Sequence, residues 1–136
     1  MTFNYSRRVY LADTDAAGVV YFAKGLEICH EAYEESLVIA GISLEQILSE
    51  GKIALPIVRA EIDFLRPVFC GNRLLVSLNS SQIDDSEFAI AYQISHGDNL
   101  ERVLITAQTR HVCIDPQIRR RIDLPSTILD WLARFK

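Results

Sequence analysis

The chain has 136 residues, a length that suits one domain spanning residues 1–136. At that size a hydrophobic core forms without disulfides or metal, and a net charge of −4 argues against nucleic acid as a partner. No stretch approaches the ~18 uncharged apolar residues of a membrane span. An odd, sparse set of cysteines (Cys29, Cys70 and Cys113), with no signal-peptide pattern at the N-terminus, predicts reduced thiols in a cytoplasmic protein.

Residues 5–11 alternate loosely and predict a first strand, and residues 13–18 form a turn-rich loop. From Phe22 the apolar positions take helical spacing: Phe22, Leu26, Cys29, Tyr33, Leu37 and Ala40. Gly41 suits the end of that helix. A second, shorter helix starts at Ser43-Leu44-Glu45-Gln46, a capping-box pattern with Ile42 and Ile47 as its hydrophobic staple, and stops at Gly51. After Pro56 the texture is β, with strands predicted near 57–69, 73–83, 87–95 and 102–114. Leu74, Val76, Leu78 and Phe88, Ile90, Tyr92, Ile94 alternate cleanly. The breaks at 70–72, 84–86 and 97–99 have turn chemistry, so the strands read as an antiparallel meander. Pro125-Ser126-Thr127 opens a C-terminal helix ending at Phe135. The class is therefore α+β, with the long helix covering one sheet face. The second face and the outer edge strand stay open, which predicts a homo-oligomer.

The informative stretch is Asp13-Thr14-Asp15-Ala16-Ala17-Gly18-Val19-Val20-Tyr21-Phe22. Two acids and a glycine turn run into a helix whose first N–H groups lack an internal acceptor. Those groups have partial positive charge and suit a developing oxyanion. A neighbouring carboxylate supplies a base or a nucleophile. Together these hydrolyse a thioester, because the thiolate leaves without much protonation. The competing reading of such a loop is capping and solvation alone.

The run from Leu11 to Tyr33 resembles the signature of the 4-hydroxybenzoyl-CoA thioesterase-like family of hotdog proteins, in which a D-x-D-x-x-G loop leads into the central helix. Pro56-Ile57-Val58 and Phe64-Leu65-Arg66-Pro67 resemble that family too, and the order of elements matches over nearly the whole chain. Within the family the sequence is most similar to the cyanobacterial and plastid-type hydrolases of 1,4-dihydroxy-2-naphthoyl-CoA, which serve phylloquinone (vitamin K1) synthesis. The resemblance implies a hotdog fold, an antiparallel sheet wrapped around a long central helix. It also implies an acyl-CoA thioesterase without cofactor or metal, and a homodimer or tetramer with active sites at subunit interfaces. By position, Asp15 matches the catalytic carboxylate, the backbone N–H of Phe22 matches the amide that polarises the thioester carbonyl, and Asp13 matches a more structural acid. Whether Asp15 attacks the carbonyl or activates water stays open.

A bicyclic aromatic acyl group needs a flat apolar slot. Val19, Val20 and Tyr21 at the helix start, with Ile57 and Val58 after Pro56, are the candidate lining. Related enzymes hold CoA phosphates with basic residues in the turn between the second and third long strands. Here that turn, Ile83-Asp84-Asp85-Ser86-Glu87, is acidic, which leaves Arg119-Arg120-Arg121 as the candidate phosphate site or else a solvated tail. Cys29 and His30 are adjacent on a helix and point about 100° apart, so they do not form a nucleophile pair. His111 and Cys113 share a strand face but fall short of a metal site. Glu31 belongs to a solvated helix face or approaches the loop of a neighbouring subunit. The alternatives to the naphthoyl substrate are a general acyl-CoA or 4-hydroxybenzoyl-CoA thioesterase, and more remotely a non-catalytic acyl-thioester-binding module. A dehydratase of this fold wants a histidine in the loop, and residues 13–22 contain none.

Overall fold

The computed structural model describes all residues, 1–136. The order is β1 (Phe3–Arg8), a 3-10 turn (Leu11–Asp13), α1 (Phe22–Ile39), α2 (Leu44–Glu50), β2 (Ile57–Phe64), β3 (Arg73–Gln82), β4 (Glu87–His96), β5 (Asn99–Val112), β6 (Ile114–Asp115), β7 (Arg120–Arg121) and α3 (Ser126–Arg134). The five long strands form one antiparallel sheet in the order β1-β3-β4-β5-β2, and β6 with β7 makes a small ribbon.

The sheet's inner face follows from alternation. Leu74, Val76 and Leu78 of β3 and Phe88, Ile90 and Ile94 of β4 are all essentially inaccessible to solvent. Val76 pairs with Ile94, and Leu78 with Tyr92. Each such side chain contributes ~1.5–3 kcal/mol on burial. α1 lays Ile28, Cys29, Ala32, Tyr33 and Leu37 on this face, positions three and four apart. α3 closes the open end with Ile128, Trp131 and Leu132. Trp131 Nε1 donates to Ser36 Oγ (2.9 Å), and Ser36 Oγ donates to the Tyr33 carbonyl (2.6 Å), so the polar atoms between the two helices are satisfied. α1 ends in a Schellman arrangement: Ile42 N–H donates to Leu37 O, Gly41 N–H donates to Val38 O, and Gly41 adopts φ +80°.

Four expectations are corrected. First, only β3, β4 and β5 form a meander; β2 crosses to the far side of β5, because the helices between β1 and β2 carry the chain across the sheet. Second, the first strand runs over Phe3–Arg8, earlier than 5–11, since Asp13 turns its carboxylate back onto the Tyr10 N–H and curls residues 11–13. Third, β2 stops at Phe64 instead of reaching 69: Leu65 and Arg66 both donate their N–H to Leu104 O, and Pro67 has none to give. Residues 65–69 then peel away toward the acidic loop, where Val20 N–H donates to Val68 O and Val19 bridges Phe69. Fourth, the cap of α2 is half a capping box. Ser43 accepts from Gln46 N–H (3.1 Å), but the Gln46 side chain turns forward to Glu50.

β2 is an edge strand with Ile57, Val58 and Phe64 exposed. A bulge at Val58 interrupts its register with β5. No helix is long and apolar enough to cross a membrane.

Candidate active site

The acidic loop is a small closed hairpin. Thr14 bridges Val20, Asp15 N–H donates to Val19 O (3.0 Å), and Gly18 N–H donates to Asp15 O (3.0 Å). Gly18 sits at φ +80°, a conformation that residues with a Cβ rarely adopt. Asp13 ties the two ends of this hairpin together. Its Oδ2 accepts the Tyr10 N–H (2.9 Å) and its carbonyl accepts the Tyr21 N–H (2.9 Å). Arg7 Nη1 lies 3.1 Å from the same Oδ2, an ion pair by proximity whose N–H groups are not aligned for a hydrogen bond. Arg7 Nε in turn reaches Glu31 Oε1 (3.1 Å), which also accepts the Tyr5 hydroxyl (3.0 Å). Burial, and then the Glu31 carboxylate, push the Tyr5 phenol up to about 12. Glu31 is thus engaged by β1 of its own chain.

Asp15 is placed differently. It is exposed, and its Oδ1 accepts the Ala17 N–H (2.8 Å), a local turn bond that orients the carboxylate. Oδ2 has no partner within the chain. Beyond the hairpin, Tyr21 is an extended N-cap without a side-chain cap, and the N–H groups of Phe22 and Ala23 donate to nothing in the chain. These are the free donors that the start of a helix provides.

Asp15, Val19, Val20, Tyr21 and Phe22 line one side of a cleft of about 350 Å³. The other side is the peeled segment, Phe64, Leu65, Pro67 and Val68, with Arg66 its one cation. The structure therefore brings together the expected carboxylate, the expected N–H and three of the expected lining residues. It does not bring Ile57 and Val58 to this cleft within the chain. They begin the strand that Phe64 ends, roughly 20 Å away at ~3.3 Å per residue. Nor do Arg119, Arg120 and Arg121 line it. They belong to the β6–β7 ribbon, where Arg121 Nη1 reaches the buried Glu87 (3.1 Å), which also takes Arg110.

Sequence reasoning left the peeled wall of the cleft unassigned, although Phe64-Leu65-Arg66-Pro67 had drawn notice. It also missed Gly25. A Cβ there would come within 2.7 Å of Ile62 Cδ1 and 3.0 Å of Phe64 Cζ, so glycine is what lets α1 approach β2 behind the cleft. Of the other titratable candidates, His30 is half-exposed beside Glu34 (3.4 Å), whereas Cys29 and His111 lie in the core. Burial pushes the Cys29 thiol up to about 12, away from any thiolate role. His111 stacks on Phe88 and shares a hydrogen bond with Thr109 Oγ1 (2.8 Å); burial first, and then His30, lower its pKa to about 4.

Comparison with known proteins shows the family. The model of the thioesterase-like superfamily matches residues 9–132. A 1,4-dihydroxy-2-naphthoyl-CoA hydrolase of Gloeothece citriformis is 53% identical over 131 residues, covering 96% of this chain and 92% of that protein. The protein of the same name from Crocosphaera subtropica is 49% identical, covering 94% and 93%. The crystal structure of a 1,4-dihydroxy-2-naphthoyl-CoA thioesterase from Synechocystis superposes with a TM-score of 0.94 at 47% identity, covering 98% of this chain and 96% of that one. The match runs along nearly the full length of these proteins, and the chain belongs to the thioesterase-like superfamily with the hotdog fold.

Proposed function

We propose that the chain, acting as a single domain over residues 1–136, hydrolyses 1,4-dihydroxy-2-naphthoyl-CoA to 1,4-dihydroxy-2-naphthoate and CoA, the step that serves phylloquinone synthesis. The observation that carries this is the pairing of a free helix-start N–H at Phe22 with the Asp15 carboxylate on one apolar cleft. The thioester carbonyl oxygen accepts the Phe22 N–H, which stabilises the negative charge that builds on that oxygen. The Asp15 carboxylate then works in one of two ways. It takes a proton from water that attacks the carbonyl carbon, or it attacks that carbon itself and water hydrolyses the resulting anhydride. On either route the C–S bond breaks, CoA leaves as a thiolate and takes up a proton, and no cofactor enters the balance.

The substrate reading has two supports: the relatives' activity and the size of the cleft, about 350 Å³, near the lower end of the ~300–1,000 Å³ common for ligand pockets. That space suits a bicyclic aromatic acid better than a long acyl chain. Release of CoA thiol from a panel of thioesters tests it. kcat/KM for the dihydroxynaphthoyl thioester should far exceed that for benzoyl-CoA or palmitoyl-CoA, since polar groups that bind substrate hydroxyls reject analogues lacking them. Equal or better activity on palmitoyl-CoA would leave only a general thioesterase, and no activity on any thioester a binding module.

The working unit is a homo-oligomer, at least a dimer. The free edge of β2 is the natural seam. Two β2 strands paired antiparallel about a two-fold axis set the start of one against the end of the other. The Ile57 and Val58 of a second copy then come beside Phe64 and complete the slot. A monomer by sedimentation at micromolar concentration would contradict this.

A further inference from the structure

Arg66 lines two spaces at once. It is the cation of the Asp15 cleft, and it also borders a neighbouring recess of about 300 Å³ formed with Asn99, Glu101 and Arg102 of the β4–β5 hairpin. The path from the Asp15 cleft to that hairpin therefore passes Arg66. The base of Arg66 is fixed: its N–H and that of Leu65 share the Leu104 carbonyl, and Pro67 follows directly. The hairpin tip is held as well, with Glu101 N–H donating to Asn99 Oδ1 (3.2 Å) and Asp98 N–H to His96 Nδ1 (3.2 Å).

Position, more than charge, singles out this recess: Arg8, Arg73, Arg119, Arg120 and Arg134 also form no ion pair, but Arg66 is the arginine that lines the Asp15 cleft. Arg7, Arg59, Arg110 and Arg121 each lie within ion-pair distance of a carboxylate. Arg66 and Arg102 form no ion pair, not even with the Glu101 beside them, so both guanidinium groups remain available. In an acidic chain, a strongly anionic ligand needs such a local pair. Two planar guanidinium forks and an Asn amide suit the non-bridging oxygens of a phosphoanhydride, which they bind through charge-assisted hydrogen bonds. The other basic run is less free, because Arg121 is engaged by Glu87.

We propose that Arg66 and Arg102 hold the phosphoanhydride of CoA, so that the pantetheine arm leaves the Asp15 cleft past Arg66 and the nucleotide lies across the β4–β5 hairpin. This rests on the thioesterase reading and deepens it, by placing the leaving-group half of the substrate.

The test compares two thioesters of the same acid, one of CoA and one of pantetheine, which lacks the anhydride and the nucleotide. In the full-length protein, Arg66→Gln and Arg102→Gln should each cut the ratio of kcat/KM between the CoA and pantetheine thioesters by about tenfold or more, chiefly through KM for the CoA thioester. The wild-type preference for the CoA thioester should also shrink as salt is added. Equal losses on both substrates would overturn the proposal. So would a preference that survives Arg66→Gln and Arg102→Gln but collapses in an Arg119→Gln/Arg120→Gln double variant. Wild-type protein that hydrolyses neither thioester would instead overturn the thioesterase reading itself.

Discussion

Asp13 and Asp15 stand two residues apart in one loop in opposite surroundings. Asp13 is 5% exposed, and its side chain and carbonyl are engaged by Tyr10, Tyr21 and Arg7. Asp15 is exposed and lines the cleft, with one local backbone bond and one carboxylate oxygen without a partner in the chain. The chemistry of the side chain is the same in both, and the partners decide the role. A buried carboxylate beside an arginine is placed to stabilise the fold, whereas an exposed one on a cleft, with no cation against it, is placed to react.

The comparison breaks most sharply under Asp15→Asn. Asparagine keeps the acceptor for Ala17 N–H and loses the charge. Steady-state kcat should fall ~100-fold or more, as for loss of a catalytic base, while stability by urea unfolding stays within about 0.5 kcal/mol. Asp13→Asn should show the reverse emphasis. It leaves the half-buried Arg7 facing a neutral amide and weakens the Tyr10 bond, a cost of about 1–3 kcal/mol in urea unfolding, with a smaller loss of kcat.

Gly25→Ala probes the wall of the cleft without touching either acid. Alanine favours the helix by about 1 kcal/mol, but its Cβ crowds Ile62 and Phe64 at a typical overpacking cost of ~1–3 kcal/mol. The two nearly offset in stability. Displacement of Phe64 should still lower kcat/KM, by about tenfold or less, as positioning errors do.

The smallest effect is on pH dependence, and its source lies outside the loop. His111 is held neutral by burial, with a folded pKa of about 4 against the ordinary value of 6.5. As pH falls, the unfolded chain takes up this proton first. The contribution of His111 to stability is therefore complete above about 6.5 and is lost progressively down to about 4. Urea unfolding across that range should show a shallower slope for His111→Gln than for wild type. An unchanged slope would move the acid sensitivity elsewhere.

Much of this was legible from local pattern. The 3.6-residue spacing of Cys29, Tyr33 and Leu37 marked α1, period-two alternation marked β3 and β4, and the acid–glycine loop marked the cleft. Each of these signals lies within a few residues of chain. The position of β2 beyond β5 was not legible, because it depends on where two helices deliver the chain. The wall at residues 64–68 depends on Leu104, nearly forty residues later, accepting two N–H groups. Ile57 and Val58, candidate lining residues as the apolar opening of the strand after Pro56, lie at the other end of that strand from Phe64, where only a second copy would bring them to the slot. Arg66 was visible as a letter, but its placement between two recesses is a property of the fold.

The central claim is that Asp15, and not Asp13, performs the chemistry. The most direct measurement is a single-turnover experiment with enzyme in excess over 1,4-dihydroxy-2-naphthoyl-CoA, following CoA thiol release, which isolates the chemical step from binding and product release. For Asp15→Asn the expected result is a rate ~100-fold or more below wild type, in protein whose urea unfolding matches wild type. Near-normal thiol release by Asp15→Asn, with Asp13→Asn folded but inactive, would contradict the assignment and reverse the two roles.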